Sequence, residues 1–118
     1  VKKEYYMILA LALMVFGEIL TIYSEVYAAK LPGKFLDNPS MFVRPMVWIC
    51  IAGISLVFAY WLGYQATGNI WVVTVASLTL LLILEPIVIY AMLKELPQRG
   101  ATIGFILGAV GLIATVAL

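Results

Sequence analysis

YYMILALALMVFGEILTIYSEVYAA, residues 5 to 29, is an apolar run that carries two carboxylates, Glu18 and Glu25, and no basic residue. It exceeds the roughly 20 residues that a helix needs to cross a hydrocarbon core of about 30 Å. A helix is the expected form, because a chain in lipid must satisfy its backbone polar groups internally. Three further runs of similar quality follow and no small-residue cleavage site stands out, so a removable secretory signal is not expected. The spacing predicts helix 1 over 5–29, helix 2 over 41–64, helix 3 over 70–93 and helix 4 over 100–118. The breaks KLPGKFLDNPS, QATGN and KELPQRG hold the Pro, Gly, Asn and Lys that end helices and make turns. The expected fold is an all-α integral membrane protein: one domain over 1–118, four transmembrane helices with both termini on one side, working as a dimer.

Composition agrees. Hydrophobic residues make up 65% of the 118 and charged ones 11%, with a mean hydropathy of +1.12, far from soluble domains. There is no histidine, and Cys50 stands alone. A zinc site, a Cys/His nucleophile and an intrachain disulfide are therefore not expected, no metal or cofactor is implied, and the chain does not read as an enzyme. A net charge of +1 without a basic patch gives nucleic-acid binding no support. Lys2 and Lys3 lie on the terminal side, against Lys30, Lys34, Arg44, Lys94 and Arg99 in the loops after helices 1 and 3. The positive-inside rule then puts both termini outside the cytoplasm.

Glu85 lies deep in helix 3, and no basic residue occurs between Arg44 and Lys94. Glu18 lies about 20 Å along helix 1 from Tyr5, and Glu85 a similar length along the parallel helix 3, so the two are expected at similar depth. An ionised carboxylate in hydrocarbon costs several kcal/mol, roughly; it must be protonated, face a wet cavity, or be neutralised by a cation from outside. Glu18, Thr21 and Glu25 share one helical stripe, and Trp71, Thr74, Leu81 and Glu85 share another with Ser77 beside it. Either stripe can line a cavity for protons and a cation. The competing reading makes both acids neutral packing groups, with Pro86 freeing a carbonyl for Glu85, and lets Glu25 snorkel at the helix end, toward Lys30. Most aromatics near span ends fit an interfacial belt. Tyr64 and Trp71 are the exceptions, since they flank the QATGN turn and a ring face attracts organic cations.

Helix 4 has no ionisable residue, and Gly100, Gly104, Gly108 and Gly111 give it a small-residue face suited to helix packing or dimerisation. Four spans enclose little volume, so two copies are expected to surround the cavity. An antiparallel pair would reproduce the inverted repeat of many carriers, whereas the charge distribution favours a single orientation; both arrangements stay open.

The second half, GYQATGNIWVVTVASLTLLLILEPIVIYAMLKELPQRGATIGFILGAVGLIATVAL, resembles the drug/metabolite transporter superfamily in its EamA-like repeat. The shared order is a polar turn, a long span with LEP, a KELP turn, then IG, small residues and a final Gly. By size the chain is most similar to the small multidrug resistance branch, whose four-span members dimerise and use a helix 1 glutamate to bind protons and cationic substrate in alternation. The resemblance implies that role for Glu18. Ser24-Glu25 resembles the branch's polar helix 1 end, about one turn early; Gly104 and Gly111 match its helix 4, and Tyr64, Thr67 and Gly68 its turn before helix 3. Where the branch has Tyr, Trp and a Gly-x-Gly hinge, WVVTVASL puts Trp71 near the Tyr position, Thr74 near the Trp position and no glycine. The branch's usual substrates and hinge are therefore not carried over, and Glu85 is an additional acid.

The leading expectation is a proton-coupled exporter (antiporter) of small organic cations or amphipathic cations. Its partners are protons, membrane lipid and a second copy of itself, and its place is the bacterial or archaeal cell (inner) membrane. The alternatives are a subunit of a lipid-linked sugar or polyprenyl carrier flippase, and a non-transporting assembly subunit. A cation channel is disfavoured by the lack of a pore loop.

Overall fold

The computed structural model describes residues 2–31 and 39–118. Four helices follow one another: α1 (Lys2–Ala29), α2 (Val43–Thr67), α3 (Ile70–Leu93) and α4 (Arg99–Ala117), with a 3-10 turn at Pro39–Phe42 ahead of α2. Three of them, the first with its apolar window at Glu4–Ala29, are long and apolar enough to cross a membrane, which suggests a membrane protein. The fourth has a shorter described apolar stretch, Arg99–Thr115. Much of KLPGKFLDNPS, including Lys34, lies outside the described residues.

The helix ends follow local chemistry. α1 begins at Lys2 rather than residue 5, since Lys2, Lys3 and Glu4 are good helix formers that extend the helix past the apolar run. α2 starts two residues later than its pattern predicts, because residues 39–42 form the 3-10 turn instead. At its other end α2 runs past Tyr64 to Thr67 and stops only where Gly68 turns left-handed (φ 68°) and donates its N–H to the Tyr64 carbonyl at 2.7 Å. Asn69 then caps α3, its Oδ1 accepting from the Trp71 N–H at 3.0 Å. A turn this short makes α2 and α3 antiparallel neighbours. α3 ends at Lys94, also left-handed (φ 57°), whose N–H bonds the Tyr90 carbonyl at 2.8 Å.

α1 and α2 form the tightest seam. Ala10, Ala52 and Ala59 are fully buried, and Gly17 lies so close to α2 that a Cβ there would meet Leu56 Cγ at 2.8 Å and the Ala52 carbonyl at 3.2 Å. Small residues let two backbones approach, which is how helices associate where lipid offers no hydrophobic drive. Across the same seam Ser55 Oγ donates to the Leu13 carbonyl at 2.9 Å. Toward one end Trp48 packs between Tyr23 and Tyr27, with ring centroids 5.4 and 5.1 Å away. Tyr27 is therefore a packing residue as well as a candidate belt residue.

α3 joins through Val73, which with Met14 and Ala59 makes the core where three helices meet. Val73 also fills the notch at Gly63, where a Cβ would lie 3.1 Å from its side chain. Only Val73 and Ser77 of α3 are buried, so the rest of this helix is loosely covered. α4 lies against α3 with Gly108 on Leu82. The helix 4 glycine face is largely open: Gly100, Gly104 and Gly111 have no atom near the place a Cβ would take. Among the described residues, the close glycine contacts inside the chain are instead at Gly17 and Gly63.

Gly17→Ala and Gly53→Ala give the same gain in helix propensity, but only the first meets atoms. Thermal unfolding of the protein in detergent is expected to show Gly17→Ala less stable than Gly53→Ala by about 1–3 kcal/mol, the usual range for overpacking. Equal midpoints would show that the α1–α2 seam is not close-packed at Gly17.

Candidate functional site

Helix geometry makes the site from the seam. Each residue advances about 100° around a helix of 3.6 residues per turn, so with Gly17 pressed on α2, Glu18 turns toward α3. There it is buried, 5% exposed, and Ser77 Oγ donates to its Oε1 at 2.8 Å. Ser77 is held in place by Val73, one turn earlier on α3 and locked into the core. The Glu18 Oε2 has no hydrogen bond among the described residues. No fully buried side-chain oxygen or nitrogen among them is unbonded, so Oε2 keeps contact with the surroundings. The result is a carboxyl anchored on one side and reachable on the other.

The hydroxyls around it are committed to their own helix. Thr21 donates to the Gly17 carbonyl at 2.7 Å and Ser24 to the Leu20 carbonyl at 2.6 Å. Their oxygens can still accept, but neither gives Glu18 a proton. Thr74, half-buried, lies one turn from Ser77 on the same side of α3.

The equal-depth expectation for Glu18 and Glu85 is corrected. Glu18 is level with Ser77, and Glu85 lies eight residues further along α3, about 12 Å at 1.5 Å per residue. Glu25 lies seven residues beyond Glu18 on α1, about 10 Å, which puts it at the level of Glu85. Depth counted from helix starts leaves out the stagger of α1 against α3, which side-chain contact sets. Glu25, exposed, and Glu85, half-buried, thus form a second acidic level beyond Glu18.

No ion pair joins Glu25 to Lys30, and none reaches Glu18 or Glu85, among the described residues. Those residues also contain no group of three His, Cys, Asp or Glu side chains able to hold a metal. Tyr64 and Trp71 are 48% and 73% exposed at the α2–α3 turn. Trp71 lies about 9 Å of helix rise before Ser77 and about 21 Å before Glu85, so neither ring joins the acidic levels. Trp71 lines a separate hollow with Asn69, Val72, Val75 and Thr115.

Ser77 is the residue that periodicity undervalues. Counted as 74, 77, 81 and 85 it belongs to the polar stripe of helix 3, and a hydroxyl in VVTVASLTLLL is the signal that marks it. Nothing in the sequence pointed to its partner, because that depends on how α1 and α3 are rotated. No protein-family model matches the chain, nor does any curated protein or solved structure.

The hydrogen bond can be tested without knowing the function. A double-mutant cycle of Ser77→Ala and Glu18→Ala, read by denaturation in detergent, is expected to give a coupling of about 1–3 kcal/mol, as for hydrogen bonds to charged groups or for contacting neighbours. Additive single effects would show that the two side chains do not interact.

Proposed function

We propose that the chain is a proton-coupled exporter of small organic cations, working as a homodimer in the cell (inner) membrane of a bacterium or archaeon. The observation that carries this reading is Glu18: a carboxyl buried between apolar helices, bonded by one neutral hydroxyl, in a chain with no basic residue from Arg44 to Lys94. A charge in that place lacks an internal partner, so a proton or a cation from outside must take the role. The two compete for the same oxygens, and binding one releases the other. Exchange follows if inward-facing and outward-facing states differ in affinity.

Ser77 orients the carboxyl, Thr74 borders it, and Glu25 with Glu85 extends the acidic path toward the far end of α1 and α3. Tyr64 and Trp71 do not touch this path within one subunit. The dimer is supported by how little of α3 and α4 is covered, which leaves large apolar faces for lipid or a second copy. The drug/metabolite transporter resemblance supports the same reading. The lipid-linked carrier alternative is weakened by charge, since a phosphate drawn along α3 meets Glu85 instead of a cation.

In proteoliposomes with an imposed proton gradient, flux of at least one guanidinium, quaternary ammonium or polyamine ion is expected, with Glu18→Gln reduced to the level of empty vesicles. Ser77→Ala is expected to slow flux without abolishing it. Gradient-driven flux that survives Glu18→Gln would overturn the assignment. Absence of flux for every cation, with a second membrane protein copurifying, would favour the flippase-subunit reading.

A further inference from the structure

A groove of about 520 Å³ runs between α3 and α4, and neither Ser77 nor Glu18 is among its lining residues. That volume falls within the roughly 300–1,000 Å³ of small-molecule sites. Its α3 wall is Leu78, Leu81, Leu82 and Glu85, and its α4 wall is Phe105, Gly108 and Leu112. The helices are antiparallel, with Gly108 on Leu82, so Phe105 lies at the Glu85 end and Leu112 at the Leu78 end. One end is therefore a carboxylate with an aromatic ring, and the rest is hydrocarbon.

The polar end holds a carboxylate without a donor among the described residues and a carbonyl that loses its ordinary helical donor. Glu85 has no hydrogen bond or ion pair among the described residues. Pro86, inside α3, has no N–H and so removes the ordinary helical donor to the Leu82 carbonyl. A lipid tail filling the groove supplies no donor. The apolar stretches of a second copy supply no cation either, since residues 4–29, 45–93 and 100–118 contain no basic residue. The matching occupant brings its own cation, its own N–H groups and a hydrocarbon chain.

We propose that the α3–α4 groove is a binding site for a single-chain alkylammonium ion, its N–H groups shared between the Glu85 carboxylate and the Leu82 carbonyl and its tail lying toward Leu78 and Leu112. Phe105 adds a ring at the charged end, where cation–π attraction favours an ammonium. A primary amine is protonated at neutral pH, as a lysine side chain is. Gly108 keeps the groove open on the α4 side. Glu18 is not part of the groove, Glu85 is the residue that the groove shares with the acidic path proposed above, and binding here does not require transport.

The test is calorimetric titration of the whole protein in phosphatidylcholine nanodiscs with dodecylammonium, with dodecanol as the uncharged chain and empty nanodiscs as background. One saturable site per chain is expected, at least tenfold tighter for dodecylammonium than for dodecanol. Glu85→Gln is expected to weaken it at least tenfold and Glu85→Asp to keep most of it. Gly108→Leu leaves the charge and fills the groove, so it is expected to weaken both ligands. Equal binding of the two chains would overturn the proposal in favour of a lipid-filled groove, as would dodecylammonium binding indifferent to both Glu85→Gln and Gly108→Leu. Binding lost in Glu18→Gln but kept in Glu85→Gln would overturn it too, by assigning the ligand to the Glu18 site. A protein with Glu85-dependent binding and no cation flux would retire the transport reading and keep the groove.

Discussion

The close approach of α1 to α2 at Gly17 is the contact on which the rest of the site depends. A helix is a rigid rotor, and fixing one residue against a neighbour fixes the direction of every other. With Gly17 against Ala52 and Leu56, and Ser55 bonded to the Leu13 carbonyl, α1 cannot turn. Glu18 is then presented to α3, where Val73 has already set Ser77. A bulkier residue at 17 would move the seam and carry the carboxyl away with it.

Charge imposes the second constraint. Three carboxylates, Glu18 and Glu25 on α1 and Glu85 on α3, lie in stretches without a basic side chain, 4–29 and 45–93. They occupy two levels, one anchored by Ser77 and one open. Packing acids would be expected to satisfy both oxygens internally, because an unbonded polar atom in a low-dielectric interior is costly. Here Glu18 is bonded through one oxygen, and Glu85 faces a groove of leucines and a phenylalanine. In the function proposed above, a proton or a cation would complete both.

Much of the fold was legible because bilayer thickness and backbone hydrogen bonding leave so few choices. Ile70–Leu93 matches its predicted span end for end, since Asn69 and Lys94 carry caps recognisable by residue type or position. The misses were local. Gln65–Thr67 continued α2 because a polar residue does not end a helix until a left-handed residue, here Gly68, does so. The glycines divide for a different reason: of the α4 set only Gly108 meets a neighbour within the chain, at Leu82, whereas the closest approaches are at Gly17 and Gly63, whose partners lie on other helices.

By itself the sequence determined that the chain is helical, that its long apolar runs suit a membrane, and that those runs carry carboxylates with no basic residue beside them. Those follow from composition and from periods along one chain. Tertiary structure alone decided that Ser77 holds Glu18, that Glu85 belongs to the level of Glu25, and that Trp71 stands apart at the turn. The physical reason is that spacing within a helix fixes only relative angle and height. Rotation and stagger between helices come from which side chains interlock, and that was set by small residues at 17, 52, 59 and 63 whose partners lie on other helices.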